Sequence, residues 1–434
     1  MRSIKNFTHK SYICNISTVL KLSLLSFVIL ISFFSLTACD TSSTDDNSID
    51  EATIDLETDA PNSDEKKAIE KAESRSLEIA SIYKEIYINA EKTISDENYG
   101  GQTIISQDVV DEIESLLIEQ GYSVMNSNSQ YPSYLENSDC FYEFWESVCN
   151  NKDAEQEIIS VSETGGIFYS ILQFSDGKSH RTSISLNWNS DNEPEVSYSE
   201  YVENDDWSLT DRGNFYYKSS ITGVPFDDYL LIRLKPVDES MYDLAEKYIT
   251  PIGYLSNNMF VSEWSYQDYS NLSFNDLFEF LYKVKNNDYF YHYDYENISE
   301  PYWHINIPAS LFEETIMPFF DISLQEFRER SLYDSETNNY PWQEICCENV
   351  TFYPTVEAEV TNYQENADGT FTLTVNARCN DYKTDCLFTH EVTIRPLENG
   401  DYQYLSNKIT YKSDITMPPN NPRLPPQQIN DIQQ

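Results

Sequence analysis

Basic residues are scarce in this sequence: 434 residues include 28 Lys or Arg against 73 Asp or Glu, a formal net charge of −45. A protein that binds nucleic acid needs a basic surface to neutralise phosphates and release their counterions. We therefore exclude nucleic acid as a partner. The sequence also lacks a nucleophile elbow, an H-E-x-x-H motif, a P-loop, a dinucleotide fingerprint and an EF-hand loop. We accordingly expect no cofactor and no metal.

The apolar run near the N-terminus is too short to be a permanent membrane anchor. It covers 15 residues from Leu22 to Leu36, whereas a spanning helix needs about 20. Residues 1–38 contain four basic residues and no acidic residue, and the basic residues precede or adjoin the run. A charged segment followed by a short apolar segment is typical of a signal peptide.

The residues after this run predict a lipoprotein. Ala38 is a small residue directly before Cys39, as cleavage by a lipoprotein signal peptidase requires. Cleavage would leave Cys39 as the new N-terminus, carrying a diacylglyceryl thioether and a palmitate-type acyl chain. More than one chain holds a protein stably on a bilayer, since each buried methylene contributes about 0.8 kcal/mol. We therefore expect a lipid-anchored protein on the extracytoplasmic face of the cell membrane.

Composition divides the remaining chain into a tether, a folded body and a tail. Residues 39–65 contain ten Asp or Glu and no Lys or Arg, which predicts a disordered, self-repelling tether. The body is predicted at 66–236 and 237–412, as two domains. Residues 413–434 are rich in proline, and we interpret them as an extended spacer, including the PxxP pattern from Pro422 to Pro425.

Hydrophobic periodicity predicts helices before strands in both domains. The first domain has helices at 66–94, 106–120 and 141–148 and strands at 157–162, 167–174, 181–189 and 195–202, with further strands at 215–219 and 229–234 that extend the sheet. Polar residues such as Arg181 and Ser183 alternate with apolar ones, which predicts a sheet with one solvent-exposed face. Asp176 and Gly177 are a hairpin-turn pair.

The second domain repeats this order. Helices are predicted at 238–249, 273–285, 309–319 and 323–330, and strands at 355–363, 370–379, 386–396 and 402–411. The turn pairs Asp368-Gly369 and Asn399-Gly400 join the last strands as a four-stranded meander. The fold class is therefore predicted to be α+β, with helices followed by antiparallel meanders in two units.

Two segments carry a resemblance to a known group of proteins. They are the block from Asp368 to Ile409 and the block YWHINIPASLFEETIMPFF from Tyr302 to Phe320. Both resemble uncharacterised lipoproteins of low-GC Gram-positive bacteria, a domain of unknown function. The resemblance implies a location and an architecture, and no activity.

Three short motifs suggest an enzyme but are poorly placed. Ser81 and Lys84 form an SxxK pattern, Ser190 begins an SDN pattern, and Lys383 begins a KT pair, in the order found in penicillin-interacting serine enzymes. Asp385 replaces the glycine of the last motif, and the gaps between the motifs are too long for a compact hydrolase domain. We expect Ser81 to be a helix-surface residue and assign no catalytic residue.

An aromatic-rich stretch offers a binding surface. We propose Tyr291, Tyr293, Tyr302 and Trp303 as a stacking platform for sugar or peptide, because Tyr and Trp are effective contact residues at interfaces. Core packing explains the same residues equally well. The favoured function is a non-catalytic binding or interaction protein whose ligand is not identifiable. The alternatives are a solute-binding component of a transporter and, third, a hydrolase acting on the cell wall.

Strand parity predicts one disulfide. If Cys379 opposes Cys386 in an antiparallel pair, then Ala377 faces Phe388, Val375 faces His390 and Leu373 faces Val392, so that one register satisfies every apolar position. Opposed Cβ atoms lie about 4.5–5.5 Å apart, close enough for a disulfide after small adjustments. The alternative is a pair of reduced thiols.

Overall fold

A computed structural model describes residues 63–95, 102–127, 130–218, 229–291, 305–345, 356–416 and 420–424. The backbone divides into two compact units, the first ending at Asp205 and the second beginning at Asp206. Both units combine helices with largely antiparallel sheets, so the predicted α+β class is confirmed. Within the described ranges no helix is both long and apolar enough to cross a membrane.

The first unit packs helices on a six-stranded sheet. Its helices are α1 (Ser63–Asn89), α2 (Gln107–Glu119) and α3 (Asp139–Cys149), and β1 (Lys92–Ile94) pairs with β2 (Thr103–Ile105) as a short hairpin. The sheet order is β4-β3-β5-β6-β7-β8, in which β3 and β5 are parallel and the other pairs are antiparallel. These strands are β3 (Val124–Met125), β4 (Leu135–Glu136), β5 (Ala154–Val161), β6 (Ile167–Ser175), β7 (Lys178–Trp188) and β8 (Pro194–Glu203).

Local sequence explains the turns and the helix faces of this unit. Val110, Ile113 and Leu117 recur at helical spacing in α2 and are all buried. Asp176 and Gly177 both have positive φ, at 53° and 73°, and they connect β6 to β7 as the two-residue loop that such residues favour. The predicted hairpin is therefore present, and the three helices precede the four long strands β5 to β8, although the short strands β1 to β4 lie between the helices.

The second unit contains three sheets and four α-helices in the described residues. The sheets have the orders β11-β10-β9, β12-β18-β17-β16-β15 and β13-β14. Their strands are β9 (Trp207–Leu209), β10 (Asn214–Lys218), β11 (Tyr229–Arg233), β12 (Trp264–Ser265), β13 (Ile305–Pro308), β14 (Asn339–Trp342), β15 (Val356–Glu365), β16 (Phe371–Cys379), β17 (Thr384–Pro396) and β18 (Tyr402–Lys412). The helices are α4 (Glu239–Tyr248), α5 (Phe278–Asn286), α6 (Ala309–Ile316) and α7 (Leu324–Arg330), with 3-10 turns at Phe274–Leu277 and Met317–Phe319.

The predicted meander forms the largest sheet of this unit. Strand β16 pairs with β17 in the predicted register, with Leu373 opposite Val392 and Val375 opposite His390. The buried face of the sheet packs against an aromatic core to which helices, a 3-10 turn, β14 and a loop all contribute. Its fully buried members include Phe260, Phe274, Phe312, Phe327 and Tyr340, with Trp342 1 % exposed.

The division between the units lies earlier than the sequence predicts. The predicted boundary falls between residues 236 and 237 and assigns the strands near 215–219 and 229–234 to the sheet of the first domain. Instead β10 pairs with β9 and β11, and its Asn214 and Tyr216 both hydrogen-bond to Asp385 in β17. Side-chain bonding to β17 therefore holds this small sheet in the second unit.

The predicted solvent-exposed face of the first sheet is wrong at one end. Arg181 is 3 % exposed and Ser183 is fully buried. The Arg181 guanidinium pairs with Asp205 at 2.9 Å and with Glu200 at 3.1 Å. Alternation of polar and apolar residues along a strand predicts which face is polar, but a charged residue on that face can be buried when its charge is paired.

Candidate functional site

A short turn and the helix after it place two carboxylates side by side in the second unit. The 3-10 turn Phe274–Leu277 leads directly into α5, so Asp276 and Glu279 are three residues apart and lie on one helical face. Asn275 fixes the turn against β14, because its side-chain amide donates to the carbonyl of Pro341 at 2.8 Å. Asp276 is 2 % exposed, and the Glu279 side chain is 18 % exposed.

The arginine of the Pro-rich tail lies in this pocket. The Nη1 atom of Arg423 donates to Glu279 Oε1 at 2.7 Å and to the carbonyl oxygen of Gln343 at 2.8 Å. Its Nη2 atom donates to the carbonyl oxygen of Asp276 at 2.7 Å. The Arg423 side chain is 1 % exposed, and Leu424 beside it is 6 % exposed.

The Asp276 carboxylate faces the backbone of the bound arginine as well as its side chain. Asp276 Oδ1 accepts the backbone N–H of Arg423 at 3.3 Å and lies 3.4 Å from Arg423 Nε. The contact between Arg423 Nε and Asp276 Oδ1 is an ion pair that lacks hydrogen-bond geometry, since Nε has no hydrogen-bond partner. The Asp276 carboxylate therefore contacts Arg423 only at long distances, whereas Glu279 makes a short contact with it.

Burial makes both carboxylates costly to ionise. It raises the pKa of Asp276 and raises the pKa of Glu279 to about 7, and in both cases the Arg423 charge opposes the increase. The charge of Glu344 adds to the increase at Glu279. Two carboxylates thus share one guanidinium in a site from which solvent is largely excluded.

Several polar atoms of the pocket remain without a partner when the tail occupies it. Asp276 Oδ2 and Gln343 Oε1 are buried acceptors with no hydrogen-bond partner, and Trp342 Nε1 is a buried donor that also has none. Buried polar groups are usually paired, so each exception requires an explanation. The pocket therefore satisfies the two terminal nitrogens of the guanidinium and leaves Arg423 Nε and these atoms of its own walls unpaired.

The family comparison can be set beside this geometry. A model of a family of unknown function, DUF6070, matches residues 69–423. The chain belongs to that family. The matched region includes the pocket and ends at Arg423. Comparison with curated proteins and with solved structures gives no match.

The sequence predicts a spacer for the tail, and for residues 420–424 this prediction is wrong. Arg423 and Leu424 are buried, because two carboxylates and two carbonyl groups surround the guanidinium. One feature of the sequence could have indicated that the tail is bound: Arg423 is the single basic residue between 413 and 434. The carboxylate pair that binds it gives no such signal in a chain with 73 acidic residues.

Most of the residues predicted from the sequence as a site are not described by the structure. Ala38 and Cys39 of the lipidation site, and Tyr293, Tyr302 and Trp303 of the platform, lie outside the described residues. Tyr291 is described and is 38 % exposed. Its ring centroid is 6.3 Å from that of Tyr289, over which Lys283 places its ammonium at 4.4 Å. The platform stays a prediction.

The predicted pairing of Cys379 with Cys386 is not present. Cys379 is opposite Thr384, and both cysteines are free thiols. The register is as predicted up to Ala377 opposite Phe388, after which β17 has three residues where β16 has one. This bulge shortens the loop and moves Cys386 away from the position opposite Cys379.

The motif residues that suggest an enzyme make ordinary structural contacts. The Ser81 hydroxyl, on the exposed surface of α1, donates to the carbonyl of Glu78 at 2.6 Å. Lys84 pairs with Glu193 at 2.6 Å, just after the turn that contains the SDN residues. In the second unit, Lys383 pairs with Asp206. Across the described ranges, no group of three or more His, Cys, Asp or Glu residues is arranged to hold a metal ion.

Proposed function

We propose that this protein is a lipid-anchored, extracytoplasmic binding protein without catalytic activity, and that its pocket at Asp276 and Glu279 receives an arginine from a non-helical segment of a protein partner. The observation that carries the proposal is the enclosure of the Arg423 guanidinium. Two donors of its planar fork reach two backbone carbonyls, and one of these donors also reaches a carboxylate. That arrangement suits guanidinium and suits the compact lysine ammonium poorly.

The tail supports the proposal because it shows how a non-helical segment that bends at Arg423 and Leu424 enters the pocket. Pro422 precedes Arg423 and cannot continue a helix or donate a hydrogen bond. Arg423 and the apolar Leu424 are both buried, so the pocket recognises a basic residue followed by an apolar one. As part of the same chain, the tail acts at an effective concentration on the order of millimolar. A partner segment therefore has to compete with it.

The non-catalytic part of the proposal is supported by the contacts of the candidate nucleophile. Ser81 Oγ donates to a helix carbonyl, and the neighbouring Lys84 is paired with a carboxylate. A serine nucleophile needs a base within hydrogen-bond reach that can take its proton. Covalent labelling of Ser81 by a fluorescent penicillin would overturn this part of the proposal.

The binding experiment uses the full chain with Arg423→Ala, which removes the guanidinium from the pocket. Because loss of a buried cation is destabilising, thermal unfolding first confirms that the variant is folded. The probe is a fluorescein-labelled peptide of residues 420–429, NNPRLPPQQI, and the readout is fluorescence anisotropy. We expect saturable binding to the variant and at least tenfold weaker binding to the unsubstituted chain, whose own tail competes. A peptide with citrulline in place of arginine keeps the shape, removes the charge and is expected not to bind.

The matched protein control is Arg423→Ala combined with Glu279→Gln, which removes one carboxylate and keeps its size. Binding should fall at least tenfold, because a charge-assisted hydrogen bond is lost. Equal binding of the arginine and citrulline peptides, or no binding of either to Arg423→Ala, would refute the proposed pocket.

The anchor has its own test. The signal-like N-terminus and Ala38-Cys39 support lipidation of Cys39, as does the resemblance to lipoproteins of low-GC Gram-positive bacteria. We expect an alkyne-tagged fatty acid to label the unsubstituted chain in cells and to leave Cys39→Ala unlabelled and unanchored. Label retained on Cys39→Ala would contradict the lipidation site.

A further inference from the structure

The contacts of Asp276 indicate that the tail is an incomplete ligand for the pocket. Glu279 and two carbonyl groups accept hydrogen bonds from the two terminal nitrogens of the guanidinium, while Asp276 faces the backbone nitrogen of Arg423 at 3.3 Å. Its second oxygen, Oδ2, is buried and has no hydrogen-bond partner. A single peptide N–H is the only backbone donor that Arg423 itself can offer to this carboxylate.

Charge counting leads to the same point. The pocket holds two carboxylates, Asp276 and Glu279, and the tail supplies one positive charge. A second cation at the position of the Arg423 backbone nitrogen would give each carboxylate its own partner. The α-ammonium of a chain whose first residue is arginine occupies that position, and it has three donors where the peptide nitrogen has one.

We infer that the preferred ligand of this pocket is a peptide segment with a free N-terminal arginine followed by an apolar residue, and that such a segment displaces the tail. The inference rests on the proposed function, since it specifies the ligand of the same pocket. The guanidinium would keep the contacts seen for Arg423, and the α-ammonium would bond to Oδ1 and Oδ2 of Asp276. Leu424 marks where the second residue packs.

Burial of both carboxylates is consistent with a ligand that carries two charges. Their pKa values are raised while one guanidinium occupies the site, so ionising both is only partly compensated. An α-amino group has a pKa near 7.7–8.0 in model peptides, and a neighbouring carboxylate favours its charged form. The ammonium is therefore charged at neutral pH.

The test compares two peptides on the full chain with Arg423→Ala. The first is Arg-Leu-Pro-Pro-Gln-Gln-Ile with a free N-terminus, and the second is the same peptide acetylated at that nitrogen. Isothermal titration calorimetry at pH 7.5 measures both dissociation constants. We expect the free amine to bind at least tenfold more tightly, because acetylation replaces the ammonium by the single amide donor that the tail already offers.

Two further measurements identify the group that is responsible. Asp276→Asn in the Arg423→Ala background should reduce the preference for the free amine over the acetylated peptide to less than twofold. Thermal unfolding checks that this variant is folded. On the Arg423→Ala chain with its carboxylates intact, raising the pH from 7.5 to 9.5 deprotonates the free amine and should abolish the preference, while the acetylated peptide serves as the reference at each pH.

The outcomes separate the inference from the proposed function. Equal affinity of the two peptides at pH 7.5 would refute the preference for an N-terminal arginine and leave the arginine pocket in place. Failure of both peptides, together with failure of NNPRLPPQQI, would refute the pocket itself. A preference that persists at pH 9.5 would show that the α-ammonium is not the cause.

Discussion

His390 should make the stability of the second unit decrease in acid. It is fully buried in β17, and its two ring nitrogens have defined partners. Nδ1 lies 2.7 Å from Asn407 Oδ1, and Nε2 lies 2.9 Å from the Tyr254 hydroxyl. The Asn407 amide nitrogen donates to the carbonyl of Ser262, so its oxygen faces the histidine. Nδ1 therefore carries the proton, and Nε2 accepts from Tyr254.

The magnitude follows from the pKa of this histidine. Burial lowers the pKa of His390 from 6.5 to about 4, and the bond to Asn407 only partly opposes the change. A folded-state pKa below the unfolded value gives stability that is present above pH 6.5 and lost as the pH falls towards 4. Because a tenfold change in proton affinity is worth about 1.4 kcal/mol, the loss is about 3 kcal/mol in the free energy of unfolding.

The assay has to separate this effect from other titrations. Burial raises the pKa of Glu279 and of Glu114 to about 7, and raised carboxyl pKa values act in the opposite direction, since they favour the folded state as the pH falls. The quantity to measure is the difference between the unsubstituted chain and His390→Gln, in which these carboxyl groups cancel. Urea unfolding at pH 7.5, 6.5, 5.5 and 4.5, read by hydrogen-exchange mass spectrometry of β17 peptides, reports the second unit alone.

The result should be a difference that changes with pH. His390→Gln loses packing and hydrogen bonds, so at pH 7.5 it should be the less stable protein. Its deficit should shrink by about 2.5 kcal/mol between pH 7.5 and pH 4.5, because glutamine does not titrate. A deficit that is constant from pH 7.5 to 4.5 would show that His390 is not held in its neutral form.

Three further predictions concern a turn, a thiol and the tail. Gly165→Ala should destabilise the first unit by about 2–4 kcal/mol, since φ is +74° and the new Cβ would lie 2.5 Å from the ring of Tyr87. The control Gly121→Ala, with φ +91° and open space around the new Cβ, should cost only about 1–2 kcal/mol. Equal losses of stability in urea unfolding would show that the contact with Tyr87 does not matter. Iodoacetamide should modify exposed Cys140 and not Cys379, because burial raises the pKa of Cys379 to about 12; mass spectrometry that finds Cys379 alkylated in the native protein would exclude its burial. Trypsin should cut after Arg423 only when urea is added, and rapid native cleavage there would show that the tail is not held.

Strand parity and turn chemistry predict the local structure correctly because both depend on neighbouring residues. The pairs Leu373–Val392 and Val375–His390 follow from alternation once Cys379 is placed level with Cys386. The choice of partner strand does not follow from alternation. β10 has the same alternation whether it extends the first sheet or forms its own, and what decides is the bonding of Asn214 and Tyr216 to Asp385, far along the chain.

Local sequence patterns also fail to predict where a helix or a strand pairing is interrupted. The sequence predicts that α1 continues to residue 94, but it ends at Asn89, because Lys92–Ile94 pairs with β2 as a strand. The bulge before Cys379 likewise displaces the predicted cysteine pair by changing the register over a few residues. In each case a tertiary contact outweighs a continuous local pattern.

The pocket is the feature hardest to predict from the sequence, since neither Arg423 nor the pair of Asp276 and Glu279 is unusual by itself. An arginine between prolines is typical of a solvated tail, and an acidic pair at the start of a helix is typical of favourable interaction with the helix dipole. Their burial together changes the interpretation. A buried carboxylate that loses its cation is strongly destabilising, so Asp276 and Glu279 are tolerated because something cationic stays with them. The tail supplies that cation in the resting protein and leaves Asp276 Oδ2 unpaired. A site that requires a cation and binds the available one incompletely can exchange it for a better one, and this is the property that a binding protein needs.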